Sequence, residues 1–295
     1  MKLKVTIAVF VVAFLGLILL LHANGRSSND PTYSEMASLD DEEEVDETAD
    51  DSKDTEPKAE YEKPAIPDSI FEICKPAPLD GVSEQIIKKK AYIVSYNKDT
   101  KISNWVAWHL TAEHTDGDVP RLNNYFEDED VPLPRATDDD YRRSGWTHGH
   151  MCPAADNKWN EVAMRESCLL TNICPQDGSL NSGLWNTIEG NCRQWARKYG
   201  DVYIVCGPVF LNREHETIGE NKVVVPEAFF KVILCLQGTP KAIGFVVRNN
   251  EGKKKKDQFV NTVDDVERIT GYDFFPALPD SIEDVVEAYA NIKEW

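Results

Sequence analysis

A strongly acidic segment near the N-terminus decides which part of this chain can fold into a globular domain. Residues 30–62 hold fifteen acidic residues against Lys53 and Lys58, and aromatic residues are rare there. Such a segment repels itself and has too little apolar surface to offset the entropy lost on ordering. We therefore expect a disordered acidic linker over residues 26–64 and one globular domain over residues 65–295. A less favoured interpretation makes the segment an acidic strip that mimics nucleic acid and covers a basic groove.

The first 25 residues have the pattern of a targeting segment. Lys2 and Lys4 precede an uncharged, mostly apolar run of seventeen residues at positions 5–21. This run is longer than most signal-peptide cores and lies at the lower limit of a membrane span. Small residues at positions 23–25 suit cleavage by a signal peptidase, so a cleaved signal peptide and an N-terminal membrane anchor both remain open. Either predicts export, with the domain periplasmic, extracellular or anchored outside the cytoplasm.

Charge and cysteine content narrow the class of protein further. The formal net charge of the chain is −19, which argues against histone-like or sequence-scanning DNA binders, whose footprint is broadly basic. Local basic groups remain at 142–143, 193–198 and 253–256, of which the last is interpreted mainly as a solubilising loop tip. The chain has seven cysteines, an odd number that cannot pair completely, and Cys206 and Cys235 lie in apolar runs typical of buried strands.

Hydrophobic periodicity predicts an α+β domain built around a mixed central sheet. Strands are expected at 91–96, 105–110, 202–206, 229–236 and 242–247. Residues 180–199 carry apolar side chains at helical spacing and end at Gly200, which predicts an amphipathic helix. Capping boxes at Thr262 and Ser281 predict two further helices, the second with Ile282, Val285, Val286, Tyr289 and Ile292 on one side.

The segment 145–157 carries the strongest chemical signal, because His148 and His150 flank Gly149 within it. A neutral imidazole accepts a proton near pH 7 and can act as a general base. Downstream, Asn181 and Glu189 are eight positions apart, so on an uninterrupted helix they point only about 80° away from each other. An amide oxygen and a carboxylate facing one way suit Mg²⁺. These residue types predict metal-assisted hydrolysis of a phosphodiester.

Three motifs make the prediction specific. Gly-His-Met-Cys-Pro-Ala-Ala-Asp (149–156), Leu-Thr-Asn-Ile-Cys-Pro-Gln (170–176) and Leu-Asn-Ser-Gly-Leu-Trp-Asn-Thr-Ile-Glu (180–189) together resemble the DNA/RNA non-specific endonuclease family. That family belongs to the ββα-metal superfamily, and endonuclease G is a relative. The resemblance extends over roughly residues 85–290. It implies a mixed sheet with a ββα-metal catalytic element, a Mg²⁺ or Mn²⁺ cofactor, and DNA and RNA as substrates.

The resemblance also implies roles for individual residues. His150 matches the general base, and Asn181 matches the direct metal ligand. Glu189 matches the acid that orients metal-bound water. Arg121 matches an arginine that contacts the phosphate and stabilises the transition state.

Two further positions are assigned to substrate binding, and one of them departs from the family. Asn172 matches a polar residue that shapes the site. The family usually reads Asp-Arg-Gly-His where this chain has Thr147, His148, Gly149 and His150. His148 thus replaces a permanent cation near the phosphate and is charged only below about pH 6.5 unless its surroundings change its pKa. We expect weaker phosphate binding at neutral pH.

Two rival interpretations remain. A zinc site built from His148, His150, Cys152 and Cys174 is one, although its spacing is uncommon in zinc proteins. The other is a surface nucleic-acid-binding protein that keeps the fold and has lost catalysis through the change at positions 147 and 148. The sequence leaves the oligomeric state open.

Overall fold

An antiparallel sheet is the centre of the domain. The computed structural model describes residues 72–295, which fall within one compact unit spanning Tyr61–Trp295. The predicted leader at 1–25 and acidic linker at 26–64 lie outside the described residues. Within residues 72–295, no helix has the length and apolar character needed to cross a membrane.

The strands of the described residues are, in chain order, β1 (Gln85–Lys88), β2 (Ile93–Asn97), β3 (Ile102–Thr111), β4 (Thr147–His150), β5 (Ile173–Gln176), β6 (Asp201–Val209), β7 (Thr217–Ile218), β8 (Val223–Val224), β9 (Ala228–Cys235), β10 (Lys241–Arg248) and β11 (Val260–Asn261). Seven of them form the main sheet in the order β1-β2-β3-β6-β9-β10-β11. Every neighbouring pair in it is antiparallel. The predicted mixed sheet is therefore wrong in this respect. Short turns join β1 to β2, β2 to β3 and β9 to β10, and such turns can join only antiparallel strands.

The sheet has a hydrophobic core on each face, because side chains alternate along its buried strands. On β6, Ile204 and Cys206 pack into one core and Val205 packs into the other. On β9, Phe229 and Ile233 face the first core, which also holds the helix predicted at 180–199. We call this side the catalytic face and the other the rear face.

The helices are α1 (Asp138–Tyr141), α2 (Glu161–Ser167), α3 (Asn186–Tyr199), α4 (Val263–Thr270) and α5 (Asp280–Glu287). The predicted amphipathic helix is confirmed in its buried residues, which include Leu184, Ile188, Cys192 and Trp195. Its first six residues, Leu180–Trp185, form a π-helical turn, and regular α-helix begins only at Asn186. Gly200 ends the helix with a positive φ of 100°.

The two helices predicted from capping boxes are both present, but only the first is capped as expected. Thr262 accepts a hydrogen bond from the Asp265 N–H at the start of α4. Helix α5 instead starts at Asp280, after Pro279. Its predicted apolar face is also wrong in part, because Val285 is 66% exposed and Tyr289 lies beyond the end of the helix. Val286 is the residue of that set that packs deeply into the rear core.

One excursion of the chain carries all the predicted site residues. Strands β3 and β6 are neighbours in the sheet, and residues 112–200 leave and return between them. The Ala112 N–H donates to the carbonyl of Gly200 at 2.7 Å and closes the base of this excursion. Strands β4 and β5, followed by the π-helical turn and α3, lie within it. The predicted strand-strand-helix element is therefore present.

Candidate active site

A two-stranded ribbon presents the histidines. Strands β4 and β5 pair antiparallel, with Gly149 opposite Cys174 and His150 opposite Ile173. A side chain at position 149 would approach Cβ of Gln176 to 2.5 Å, so only glycine fits here. Gly149 thereby lets the side chain of Gln176 pack against the ribbon between the two histidines.

His150 is buried and has a free ring nitrogen. The residue is 6% exposed, and its Nε2 has no hydrogen-bond partner among the described residues. Burial, followed by the positive charges of Arg121 and His148, lowers its pKa to about 3. His150 is therefore neutral at pH 7 and can accept a proton. A bound phosphate would add negative charge beside the ring and raise its proton affinity.

His148 is held between two tyrosine rings. Tyr125 stacks on one side with 3.9 Å between ring centroids and Tyr141 on the other with 4.2 Å. Its Nε2 lies 3.0 Å from Oδ1 of Asp138. Burial lowers the pKa of His148 although Asp138 acts in the opposite direction. At neutral pH this position therefore lacks the positive charge that the family's arginine would supply.

Asn181 is placed by the π-helical turn against the histidine ribbon. Its Nδ2 donates to Oγ1 of Thr147 at 3.1 Å and to the carbonyl of His148 at 3.3 Å. Both bonds use the amide nitrogen, so Oδ1 has no donor among the described residues. Since the π-turn interrupts the helix, the 80° angle expected between Asn181 and Glu189 does not apply. Such turns are frequent at functional sites.

Glu189 stands in the first turn of α3 above a buried group of charges. Its carboxylate accepts no hydrogen bond from the described residues. Burial raises its pKa to about 7, while Lys231, Arg193 and Arg121 act to lower it and Asp156 adds to the rise. Glu189 is therefore close to its titration point at neutral pH.

Lys231 is the site residue that the sequence analysis missed. It lies on β9 at a position that faces the catalytic core, and its side chain is completely buried. Its Nζ has no hydrogen-bond partner among the described residues and lies over the rings of Trp185 and Trp108, 4.6 Å and 5.1 Å from their centroids. The sequence feature that could have revealed it is a lysine at the centre of an apolar strand. A buried charge is unfavourable unless a partner compensates it, so a lysine at such a position indicates a functional or structural partner.

A buried ion pair lies near Lys231. Arg193 Nη1 donates to Oδ1 of Asp156 at 2.9 Å, and the indole N–H of Trp108 donates to the other carboxylate oxygen at 3.1 Å. Two cations and two anions, Lys231, Arg193, Asp156 and Glu189, thus interact beneath the site. The attraction between opposite charges in this group offsets part of the cost of burying them.

Arg121 reaches the site from an exposed loop. Its positive charge acts to lower the pKa of Tyr125, whose ring stacks on His148. The same charge acts on both His150 and Glu189. Arg121 therefore adds positive charge to the surroundings of both residues.

Asn172 is buried behind the histidine ribbon. Its side chain is completely buried. The amide accepts a hydrogen bond from the Cys152 N–H at 2.9 Å and donates to the carbonyls of Cys152 and Ser167 at 2.9 Å and 2.8 Å. These bonds fix the chain that follows His150, which agrees with the expectation that Asn172 shapes the site. Its assignment to substrate binding stays a prediction.

The described residues do not support the zinc alternative. Cys152 Sγ accepts from the Asn157 amide at 3.4 Å, and Cys174 Sγ contacts the Ser103 hydroxyl at 4.0 Å. The two thiols are buried in the core and do not gather with His148 and His150 around one point. Cys206 and Cys235 are buried free thiols, as expected from their apolar surroundings.

The predicted basic groups fall into two kinds. Three arginines already have partners within the domain. Arg142 pairs with Asp139, Arg193 pairs with Asp156, and Arg197 donates a hydrogen bond to Thr115. The lysine loop at 253–256 instead lies beside the π-helical turn, since the Leu184 N–H donates to the carbonyl of Gly252 at 3.2 Å. Lys253 and Lys255 are exposed there.

The oxygen donors of the site fit a hard divalent cation. Asn181 Oδ1 and the Glu189 carboxylate are both free of protein donors, and no soft thiolate lies with them. Mg²⁺ is bound through one or two protein oxygens while water and phosphate fill its other positions. Mn²⁺ accepts the same ligands.

Comparison with known proteins agrees with this geometry. The family model for DNA/RNA non-specific endonucleases matches residues 71–281. The human mitochondrial nuclease EXOG is 35% identical over 219 residues, which make up 68% of this chain and 59% of the human protein. Nuclease C1 of Cunninghamella echinulata var. echinulata is 35% identical over 215 residues, or 67% of this chain and 85% of that protein.

Human mitochondrial endonuclease G is 32% identical over 209 residues, covering 66% of this chain and 70% of its own length. A solved structure of the EndoG/EndoGI complex has a TM-score of 0.67 and 30% identity, with 74% of this chain and 96% of that chain covered. The chain thus spans only about three fifths of the length of human EXOG, and the fold it shares is that of EndoG.

Proposed function

The chain belongs to the DNA/RNA non-specific endonuclease family, and on that premise we propose that it hydrolyses phosphodiester bonds in DNA and RNA. The observation that carries the proposal is the buried, unpartnered Nε2 of His150. Leaving a buried polar atom without a hydrogen bond costs about 1–3 kcal/mol. A water molecule bound at this nitrogen would remove that cost and would lie where His150 can accept its proton.

The residues of the site divide the work as follows. His150 accepts a proton from a water molecule, whose oxygen then attacks the phosphorus. Arg121 neutralises charge on the phosphate oxygens as the bond to the leaving oxygen breaks. The leaving oxygen takes a proton from a solvent water molecule and departs as a hydroxyl, and His150 later returns its proton to solvent. Asn181 would hold Mg²⁺ and Glu189 would orient its water; when bound, the cation offsets the negative charge that develops at the phosphate.

Substrate recognition in this proposal depends on the phosphate backbone. The lysine loop at 253–256 lies beside the turn that carries Asn181, so its exposed cations can follow a nucleic-acid strand that enters the site. Phosphate contacts carry no information about base sequence. This supports cleavage of both DNA and RNA without sequence preference, in line with the description of the family.

The proposal is tested by digestion of plasmid DNA and of a long RNA with the purified protein. We expect cleavage of both with Mg²⁺ or Mn²⁺ and none with EDTA. Replacing His150 by alanine should lower the rate about 10²–10⁴-fold, the usual contribution of a general base. His215→Ala is the matched control, because His215 pairs with Glu227 away from the site, and it should cleave normally.

A nucleic-acid-binding protein without catalysis is the second candidate, supported by the neutral His148 in place of the family's arginine. If both nucleic acids stay intact under every condition while the protein retards them in a gel, the hydrolytic proposal is wrong. Normal cleavage by His150→Ala would contradict the role of that residue alone.

The cellular location is a separate proposal. We propose that residues 5–21 carry the domain out of the cytoplasm, as a cleaved signal or as an anchor. The relatives EXOG and endonuclease G are named as mitochondrial, so a mitochondrial location is the competing outcome. Fractionation of the full chain, compared with a Leu15→Arg variant that interrupts the apolar run, distinguishes the two. Recovery of the unaltered chain in the cytoplasm would contradict export.

A further inference from the structure

Three carboxylates meet on the rear face of the sheet, away from the catalytic face. Asp264 and Glu267 lie three positions apart on α4, and Glu287 is the last residue of α5. One oxygen from each lies within 4.8 Å of the others. Both helices pack on the rear core through Val263, Val266 and Val286. This carboxylate cluster therefore joins the two helices that cover that core.

Glu287 is the buried member of the cluster. Its side chain is 7% exposed, and its Oε1 is buried without a hydrogen-bond partner among the described residues. The same side chain supplies an oxygen to the group of three. A buried and unpaired carboxylate is strongly unfavourable, so an acid at this depth takes up either a proton or a cation.

The strongest charges acting on Glu287 are all negative. They come from Glu267, Glu283, Asp264 and Asp273. Arg268, on the same helix as Asp264 and Glu267, is exposed and pairs with Asp265. The carboxylates gathered at this point thus repel one another, and a bound cation would remove that repulsion.

The carboxylate of Glu267 is held in place by one hydrogen bond and has a second oxygen that can bind a cation. Its Oε1 accepts a hydrogen bond from the Phe274 N–H at 2.8 Å. This bond fixes the carboxylate and leaves its other oxygen available. Asp264 is exposed, so water can complete the coordination from the solvent side.

We propose that Asp264, Glu267 and Glu287 bind a single Ca²⁺ ion that holds α4 and α5 together. Three carboxylates without nitrogen or sulfur donors suit a hard cation and not zinc. Ca²⁺ accepts about six to eight oxygen ligands, several of which can be carboxylates. Mg²⁺ is usually held by only one or two carboxylates and keeps several waters. Three carboxylates from two helices therefore favour Ca²⁺.

The site is structural in this proposal and independent of the reaction. The ion would neutralise Glu287 and fasten the C-terminal helix to α4. Folded protein binds the ion and unfolded protein does not, so Ca²⁺ should raise the thermal midpoint of unfolding. At a Ca²⁺ concentration about 100-fold above Kd, we expect a rise of about 5–10 °C for a domain of this size.

The test compares three forms of the full chain by thermal unfolding and by calorimetric titration with CaCl₂. Glu287→Gln keeps the shape of the side chain and removes its charge, so it should lose the Ca²⁺-dependent rise. Asp284→Asn is the matched control, since Asp284 is an exposed acid on α5, and it should respond as the unaltered chain does. The titration should show one binding event fewer for Glu287→Gln, whereas any binding at Asn181 persists in all three.

Two further measurements make the proposal falsifiable. Because Mg²⁺ is also proposed to bind at Asn181, the two ions are compared by the part of the rise in midpoint that Glu287→Gln removes. At the same concentration this part should be smaller for Mg²⁺ than for Ca²⁺, and Glu287→Gln should still cleave plasmid with Mg²⁺. The proposal is overturned if the unaltered chain shows no Ca²⁺-dependent rise, if Glu287→Gln shows the same rise, or if the part that Glu287→Gln removes is as large for Mg²⁺ as for Ca²⁺. Asp264→Asn provides a second variant, for which the loss of the rise is again expected.

Discussion

Replacing Lys231 by methionine is the sharpest test of how the buried charges support the site. Methionine fills a similar volume between Trp108 and Trp185 but removes the positive charge. An opposite charge within about 4–6 Å lowers the pKa of a carboxyl by about 1–3 units. Because Lys231 is the largest influence that lowers the pKa of Glu189 from its burial-raised value, that pKa of about 7 should rise by this amount in the variant.

The magnitude follows from the fraction of Glu189 that is ionised. With a pKa of about 7, half of the carboxyl groups are charged at pH 7. An increase of one unit leaves about one in eleven charged, so kcat/KM at pH 7 should fall at least about fivefold. The acidic limb of the pH–rate profile should move upward by about 1–3 units, and activity should return as the pH is raised.

Stability should change with pH in a defined direction. Burial has raised the folded-state pKa of Glu189 above its ordinary value, so ionising it destabilises the folded state as pH rises through about 7. Without Lys231 this cost is larger. Urea unfolding should therefore show an additional loss of about 1.4–2.7 kcal/mol at pH 9 compared with pH 6.

The control for this experiment is Lys241→Met. Lys241 also lies over aromatic rings, 4.1 Å from the centroid of Tyr199 and 4.9 Å from that of Trp295, but on the strand next to β9 and away from Glu189. It should keep the pH–rate profile of the unaltered chain. If Lys231→Met lowers the rate equally at every pH, its effect is general damage to packing and the electrostatic reasoning is refuted.

Three other changes test separate parts of the site. His148→Arg restores a permanent cation, so kcat/KM for DNA should rise more at pH 7.5 than at pH 5.5. If kcat/KM changes by the same factor at both pH values, the charge at position 148 does not control phosphate binding. The double change Lys253→Gln and Lys255→Gln should reduce the slope of log KM against log salt concentration by nearly two, because each phosphate contact contributes about 0.9 to that slope. An unchanged slope would show that the lysine loop does not contact the phosphate backbone. Asn172→Ala leaves buried backbone groups of Cys152 and Ser167 unpaired and should lower the free energy of unfolding in urea by about 2–4 kcal/mol. A loss of substrate affinity at unchanged stability would instead support a role of Asn172 in substrate binding.

Local sequence patterns were sufficient for the parts of the fold that depend on short-range periodicity. The strand pair at 91–110 and the helix ending at Gly200 are present because alternation and helical spacing each report on a single buried face. The chemical motifs likewise predicted His150, Asn181, Glu189 and Arg121 as site residues. All four lie in the excursion of the chain between β3 and β6. Their catalytic roles stay predictions until they are measured.

Features that depend on contacts between distant parts of the sequence could not be predicted from local patterns. Strand β6 pairs with β3 after a long excursion of the chain, and no local pattern records that pairing. The π-helical turn at Leu180–Trp185 arises where the chain meets the lysine loop, some seventy residues away, so helical spacing alone misjudged the angle of Asn181. Lys231 was missed for the same reason, since its tryptophan and acidic neighbours come from other elements.

The closed base of the excursion between β3 and β6 has a consequence for how such proteins can diverge. Because Ala112 and Gly200 meet through one hydrogen bond, the catalytic groups enter and leave the sheet at a single point. Recombination at these two positions would transfer the histidine ribbon, the metal ligand and the arginine as one block. Lys231 lies outside that block, so a chimera works only if the recipient sheet carries a lysine at the matching position of β9. Exchange of the active site between relatives is thus limited by a residue of the scaffold.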